Sequence, residues 1–212
     1  MKTYESGLSI PVFALTGGSG SGKTTVAKLW REMGIAVLDC DLIARDIVKL
    51  PACKQALCAA FGDDIYVDNV LDRKLLASRA LVGPQESRML TQATHPFIVA
   101  QLLEEAQQVA QQGGQCVVAD GSTIIDGPFE KYCSLFFVMK VSRDAQMQRI
   151  MARDGISEQV AAGRIAAQPP QTNLLEKAHF IIDNSSSFAA LEKNAAIALA
   201  YIKGWLDAQT QR

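Results

Sequence analysis

The chain has 212 residues, 49% hydrophobic and 20% charged, with a formal net charge of −1. That size and composition suit one globular domain able to bury a core without disulfide or metal staples. The near-neutral balance excludes a general basic field for nucleic acid or an anionic membrane, so a polyanionic ligand has to be caught locally.

The elements follow in chain order. "IPVFALT" (Ile10 to Thr16) reads as a buried strand, with Pro11 tolerated only at its start. A helix from about Lys23 to Met33 stops at Gly34. "IAVLD" (Ile35 to Asp39) is the next strand, followed by a helix from Asp41 to about Val48. A long helical stretch comes next, holding "DRKLLASRAL" and a helix from about Pro96 to Gln112 that Gly113 and Gly114 close. "QCVVAD" (Gln115 to Asp120), "SLFFVMKV" (Ser134 to Val141) and "HFIID" (His179 to Asp183) are three further strands. A last helix runs from about Ser187 to Gln211, with Ser185, Ser186 and Ser187 as candidate caps. This order predicts an α/β fold: a five-stranded, mostly parallel sheet with helices on both faces and a helical lobe inserted over residues 51–114.

The five cysteines are odd in number and form no C-x-x-C pair, and the two histidines lie far apart. They read as reduced thiols of a cytoplasmic protein without a structural zinc site. The opening "MKTYESGLSI" has no long apolar region and carries an acid, so it does not read as a signal peptide. No apolar run approaches the ~20 residues that span a bilayer. The expected protein is soluble, with no membrane or nucleic-acid partner, and either a monomer or a small homo-oligomer.

The most informative stretch is "ALTGGSGSGKTTVAKLW", which satisfies G-x-x-x-x-G-K-[ST] from Gly17 to Thr24 between a strand and a helix. Glycines let backbone N–H groups approach phosphate oxygens that side chains would keep away. The helix N-terminus adds its dipole. The nucleotide-binding set is Gly18, Gly20, Ser21, Gly22, Lys23, Thr24 and Thr25. Lys23 would reach the β/γ-phosphates and the Thr24 hydroxyl would hold Mg²⁺. A dinucleotide-type G-x-G-x-x-G fails, because Lys23 stands where the last glycine counted from Gly18 would be needed.

Most other candidates carry two readings. "DCD" places Asp39 and Asp41 at a strand end, where a carboxylate can accept the proton of an acceptor hydroxyl; Asp41 can equally cap its helix. Asp120, ending an apolar strand, suits Mg²⁺ or turn chemistry. Arg149 and Arg153, four apart on one helix face, suit phosphate oxygens or a solvated pairing with Asp144 and Asp154. His95, before Pro96, reads as a helix cap.

The opening segment through "LDCDLIARDIV" resembles the dephospho-CoA kinase family, and so do "LDRKLLASRAL", "THPFI", "QMQRIMARDGIS", "RIAAQ" and "IIDN". The resemblance covers Val12 to about Asn184 and implies a P-loop kinase fold. The implied reaction is transfer of the ATP γ-phosphate to the ribose 3′-hydroxyl of dephospho-CoA, the last step of coenzyme A synthesis. It implies Lys23, Asp41 and Arg149 as catalytic residues, and Arg149, Arg153 and Asn184 as further nucleotide contacts. Arg73, His95 and Asp126 join Asp41 on the acceptor side, with Thr24 and Asp120 on Mg²⁺. A lid over residues 153–168 would exclude water, hinged at Gly155 and Gly163. The sequence departs from the family pattern at "DGSTIID" (Asp120 to Asp126), where the family has a Pro-Leu-Leu run, and at His179, where it has an aspartate. The alternatives are a divergent P-loop kinase acting on another nucleoside or small-molecule hydroxyl and a non-catalytic ATP- or CoA-binding sensor.

Overall fold

The computed structural model describes residues 4–211, so the first three residues of the "MKTYESGLSI" stretch lie outside the described residues. The chain divides into two compact units, one formed by the residues up to Leu38 together with Ala106 onward, the other by Asp39–Glu105.

The first unit is built on β1 (Val12–Thr16), the helix α1 (Lys23–Glu32) and β2 (Ala36–Asp39), whose last residue opens the second unit. The second unit contains α2 (Cys40–Asp46), α3 (Pro51–Phe61), the hairpin of β3 (Tyr66–Val67) and β4 (Val70–Leu71), α4 (Arg73–Ala80) and most of α5 (Pro84–Gln111). The chain then adds β5 (Val117–Asp120), β6 (Cys133–Lys140), α6 (Arg143–Asp154), α7 (Glu158–Ala166), α8 (Gln171–Glu176), β7 (Phe180–Asp183) and α9 (Phe188–Thr210) to the first unit.

The expected five-stranded parallel sheet is present, in the order β2-β5-β1-β6-β7. β1 pairs in parallel with β5 and β6, and β6 with β7. Every residue of β1 and β5 is buried, as central strands covered on both faces must be. On one face Phe13, Leu15, Val118, Phe137, Met139 and Ile182 meet Trp30 of α1 and Leu191, Leu199 and Ile202 of α9. Trp30 sits edge-on to Phe137 with ring centroids 5.4 Å apart, and its indole N–H donates to the Ala195 carbonyl at 3.0 Å. The buried ring therefore leaves no donor unpaired, and such a side chain contributes roughly 1.5–3 kcal/mol by burial. The residues of opposite parity, Val12, Ala14, Val117, Ala119, Phe136 and Val138, are buried as well.

The helix expected to begin at Pro96 instead begins at Pro84 and carries Pro96 in its interior. The true start has Gly83, Pro84 at the first helical position and Glu86 in the first turn, a stronger signal than Thr-His-Pro. His95 consequently caps no helix. The α2 helix likewise begins at Cys40, and its cap is Asp39, whose carboxylate accepts from the Leu42 N–H at 2.9 Å. Asp41 therefore is not the cap. The small hairpin has no counterpart among the expected elements. Asp68 and Asn69, at φ 49° and 65°, make the two-residue turn whose Asp-Asn signature was present in the sequence.

Candidate nucleotide-binding site

Parallel strands put all their C-terminal ends at one edge, where ligands bind in open α/β sheets. The register sets Leu15 beside Asp120, Thr16 beside Val138, and Lys140 beside Asp183. The glycine-rich loop, Asp120 and the start of the segment after β7 thus share that edge.

The loop runs from Gly17 to Gly22, and α1 begins at Lys23 with no side-chain cap and no acid in its first turn. Among the described residues, no acceptor meets the backbone N–H groups of Gly20, Gly22, Lys23 or Thr24. Lys23, half-buried, forms no ion pair with any described residue. An uncapped helix start with free donors and a free ammonium favours an anion. Gly22 sits at φ 95°, and a Cβ there would stand 2.2 Å from Asn184 Nδ2. Gly20, at φ 77°, would press a Cβ onto Ile150 and the Gln146 carbonyl. The loop is bare on its protein side for packing, a reason additional to the phosphate approach that the sequence suggests.

Arg149 comes from α6 and donates through Nη2 to Asn184 Oδ1 at 3.3 Å, while its Nη1 is buried without a partner. A buried charged donor left unmade costs at least roughly 1–3 kcal/mol, a cost that an anionic oxygen at Nη1 would remove. Asn184 is 4% exposed and spends both ends of its amide inside the protein, donating from Nδ2 to the Ser21 carbonyl at 2.8 Å. Its place is beneath the loop, holding Ser21 and Arg149.

Arg153 lies in the last turn of α6 and pairs with Asp154 at 2.7 Å, which in turn meets Arg164. Hydrogen bonding to Arg153 holds the Asp154 carboxyl below its usual range. Gly155 is the left-handed C-cap of α6 at φ 63°. Gly163, by contrast, lies inside α7, so its backbone is helical and not a hinge. Asp120 is 9% exposed at the end of β5. Asp126, at φ 62°, is tied to Lys177 Nζ at 2.7 Å, and its own N–H donates to Glu130 Oε2 at 2.5 Å. Asp126 first and Glu130 second raise the Lys177 pKa.

In the second unit, Asp41 is exposed in the first turn of α2, beside its capping neighbour Asp39. Arg73 is exposed at the start of α4 and donates to the Arg45 carbonyl at 3.3 Å. His95 is half-buried in α5, and burial lowers its pKa.

A family model described as dephospho-CoA kinase matches residues 11–190. The chain belongs to the dephospho-CoA kinase family. A dephospho-CoA kinase from Corynebacterium efficiens is 35% identical over 191 residues, covering 89% of this chain and 95% of the relative. One from Arabidopsis thaliana is 31% identical, covering 91% and 84%. Among solved structures, TT1252 from Thermus thermophilus superposes with a TM-score of 0.77 at 26% identity, covering 91% of this chain and 97% of that one.

Against that family background, the residues that sequence reading missed are the ones acting across long chain separations. Gln146, Gln168 and Gln171 are examples. Gln168 accepts from the Ser19 N–H at 2.7 Å, and Gln171 brackets the Val141 backbone with both ends of its amide. Gln146 and Gln168 fall within "QMQRIMARDGIS" and "RIAAQ", yet neither motif says which distant backbone group the amide meets. His179 is similar: its Nδ1 accepts from the Phe136 N–H at 3.2 Å, extending the β6–β7 pairing where the family pattern has an aspartate.

Proposed function

We infer that this chain transfers the γ-phosphoryl group of ATP to the ribose 3′-hydroxyl of dephospho-CoA, the closing step of coenzyme A synthesis. Family membership supports the reaction. The structural observation that carries it is the set of unmatched donors around the loop: four backbone N–H groups, the Lys23 ammonium and the buried Arg149 Nη1. Such a set suits a polyphosphate.

In this reading a new bond forms from the ribose oxygen to the γ-phosphorus as the bond from that phosphorus to the β–γ bridging oxygen breaks, releasing ADP. Asp41 accepts the hydroxyl proton. Lys23 and Arg149 neutralise charge on the transferring group, and Gly18, Gly20, Ser21, Gly22, Thr24 and Thr25 cradle the phosphates. Arg73, His95 and Asp126 belong to the acceptor side, and Arg153 opens a lid over residues 153–168. Asn184 serves the nucleotide side through the loop it supports.

The donor types fit Mg²⁺: a hydroxyl at Thr24 in the first turn of α1 and a buried carboxylate at Asp120, both hard oxygen ligands. Thr24 and Asp120 would hold the ion, which would supply positive charge to offset that of the phosphates. Among the described residues no cluster of three or more His, Cys, Asp or Glu could hold a metal by itself, consistent with an ion that arrives with the nucleotide. No described helix is long and apolar enough to cross a membrane. A cytoplasmic monomer or small homo-oligomer acting on small molecules, without nucleic acid, completes the proposal.

The test is to incubate purified chain with ATP, Mg²⁺ and dephospho-CoA and weigh the product. The expected result is the gain of one phosphate on dephospho-CoA, lost in Asp41→Asn and Lys23→Ala. Nucleotide binding without that product, together with transfer to another nucleoside, would replace the acceptor assignment.

A further inference from the structure

All three polar groups of Ser19 are engaged by side chains from elsewhere in the first unit. Its N–H donates to Gln168 Oε1 at 2.7 Å, its carbonyl accepts from Gln146 Nε2 at 2.8 Å, and its hydroxyl accepts from Arg153 Nη2 at 3.2 Å. Two of these partners are the two ends of the segment 153–168. Both ends of that segment therefore close on one residue of the phosphate loop. Inside the segment, Arg164 reaches back to Asp154, and Gln168 Nε2 donates to the Arg164 carbonyl at 3.1 Å. The segment is thus internally tied, and its attachments to the loop run through Ser19.

We propose that Ser19 transmits nucleotide loading of the phosphate loop to the 153–168 segment, with Gln168 as the positioning residue that makes the connection. The inference rests on the ATP-binding reading given above. A phosphate seated on the Gly20, Gly22 and Lys23 amides restrains the peptide planes next to Ser19. The Ser19 N–H and hydroxyl then present fixed anchors to Gln168 and Arg153, and α7, spanning the interval between them, loses freedom. The contact is close: a Cβ on Gly18 would stand 2.5 Å from Gln168 Oε1. It is also releasable, because a cavity of about 320 Å³ lined by Gly18, Gln146, Ile165, Gln168 and Pro170 adjoins it.

Hydrogen exchange of the full chain, with and without Mg²⁺ and a non-hydrolysable ATP analogue, tests the connection. In the parent protein the analogue slows exchange across α7. In Gln168→Met, which keeps bulk and removes the acceptor, analogue affinity stays within about threefold while slowing across α7 falls about tenfold or more. Its kcat falls with the KM for ATP nearly unchanged. Ser19→Ala, which cuts only the Arg153 anchor, gives an intermediate loss. Full retention of α7 protection in Gln168→Met overturns the proposal. So does a collapse of analogue affinity in that variant, which would make Gln168 a support for loop shape alone. A parent chain that binds no analogue overturns the ATP reading and this inference together, a result distinct from either of those.

Discussion

Asn184 and Gly22 show how closely the loop is fitted to the protein behind it. The Asn184 amide sits where a Gly22 Cβ would have to go, and the left-handed backbone at Gly22 adds strain for any other residue. Gly22→Ala is expected to lose about 1–3 kcal/mol of stability and to weaken nucleotide binding, read by thermal unfolding and by calorimetric titration. The nearby Asp183 makes a second residue-scale prediction. Its carboxyl is held below the usual range by its hydrogen bond to Ser185 and then by Lys140, 3.0 Å away. With a depressed folded pKa, its contribution is present above the unfolded carboxylate value near ~3.9 and is lost as pH falls through the folded value. Asp183→Asn should therefore lower the unfolding midpoint at neutral pH and flatten the acid limb, with the two proteins converging at the lowest pH.

At the scale of elements, α5 is the case in which a local rule was overridden. A proline costs a helix interior about 3 kcal/mol relative to alanine, which is why Pro96 reads as a boundary. The helix nevertheless runs 28 residues through it. Burial of Ala93, Leu102 and Ala106 on either side of the proline contributes enough to carry the element across. Pro96→Ala is accordingly expected to raise the unfolding midpoint by several degrees, measured calorimetrically. The cap of α2 teaches the complementary lesson. Both Asp39 and Asp41 were suitable by type, and the strand end at Asp39 decided which carboxylate faces the first-turn amides. That leaves Asp41 available for the proton-accepting role proposed for it.

For the molecule as a whole, the thiols follow from burial. Desolvation pushes Cys53 and Cys116 up to about 11 and, helped by Glu130, Cys133 up to about 12. These three are expected to resist alkylation at pH 8 in the native state and to react on unfolding, as peptide mass mapping would read. The sequence by itself determined the five strands, the phosphate loop and the family, because each is written in short-range signals: apolar runs, glycine spacing, one lysine at a helix start. Only the tertiary structure decided that Asn184 supports the loop, that Gln168 and Arg153 converge on Ser19, and that Asp126 is held by Lys177. Those contacts join residues 51 to 163 positions apart. Uncharged amides and hydroxyls take whichever partner the packed chain brings within reach, so their pairing exists only once the sheet edge has assembled.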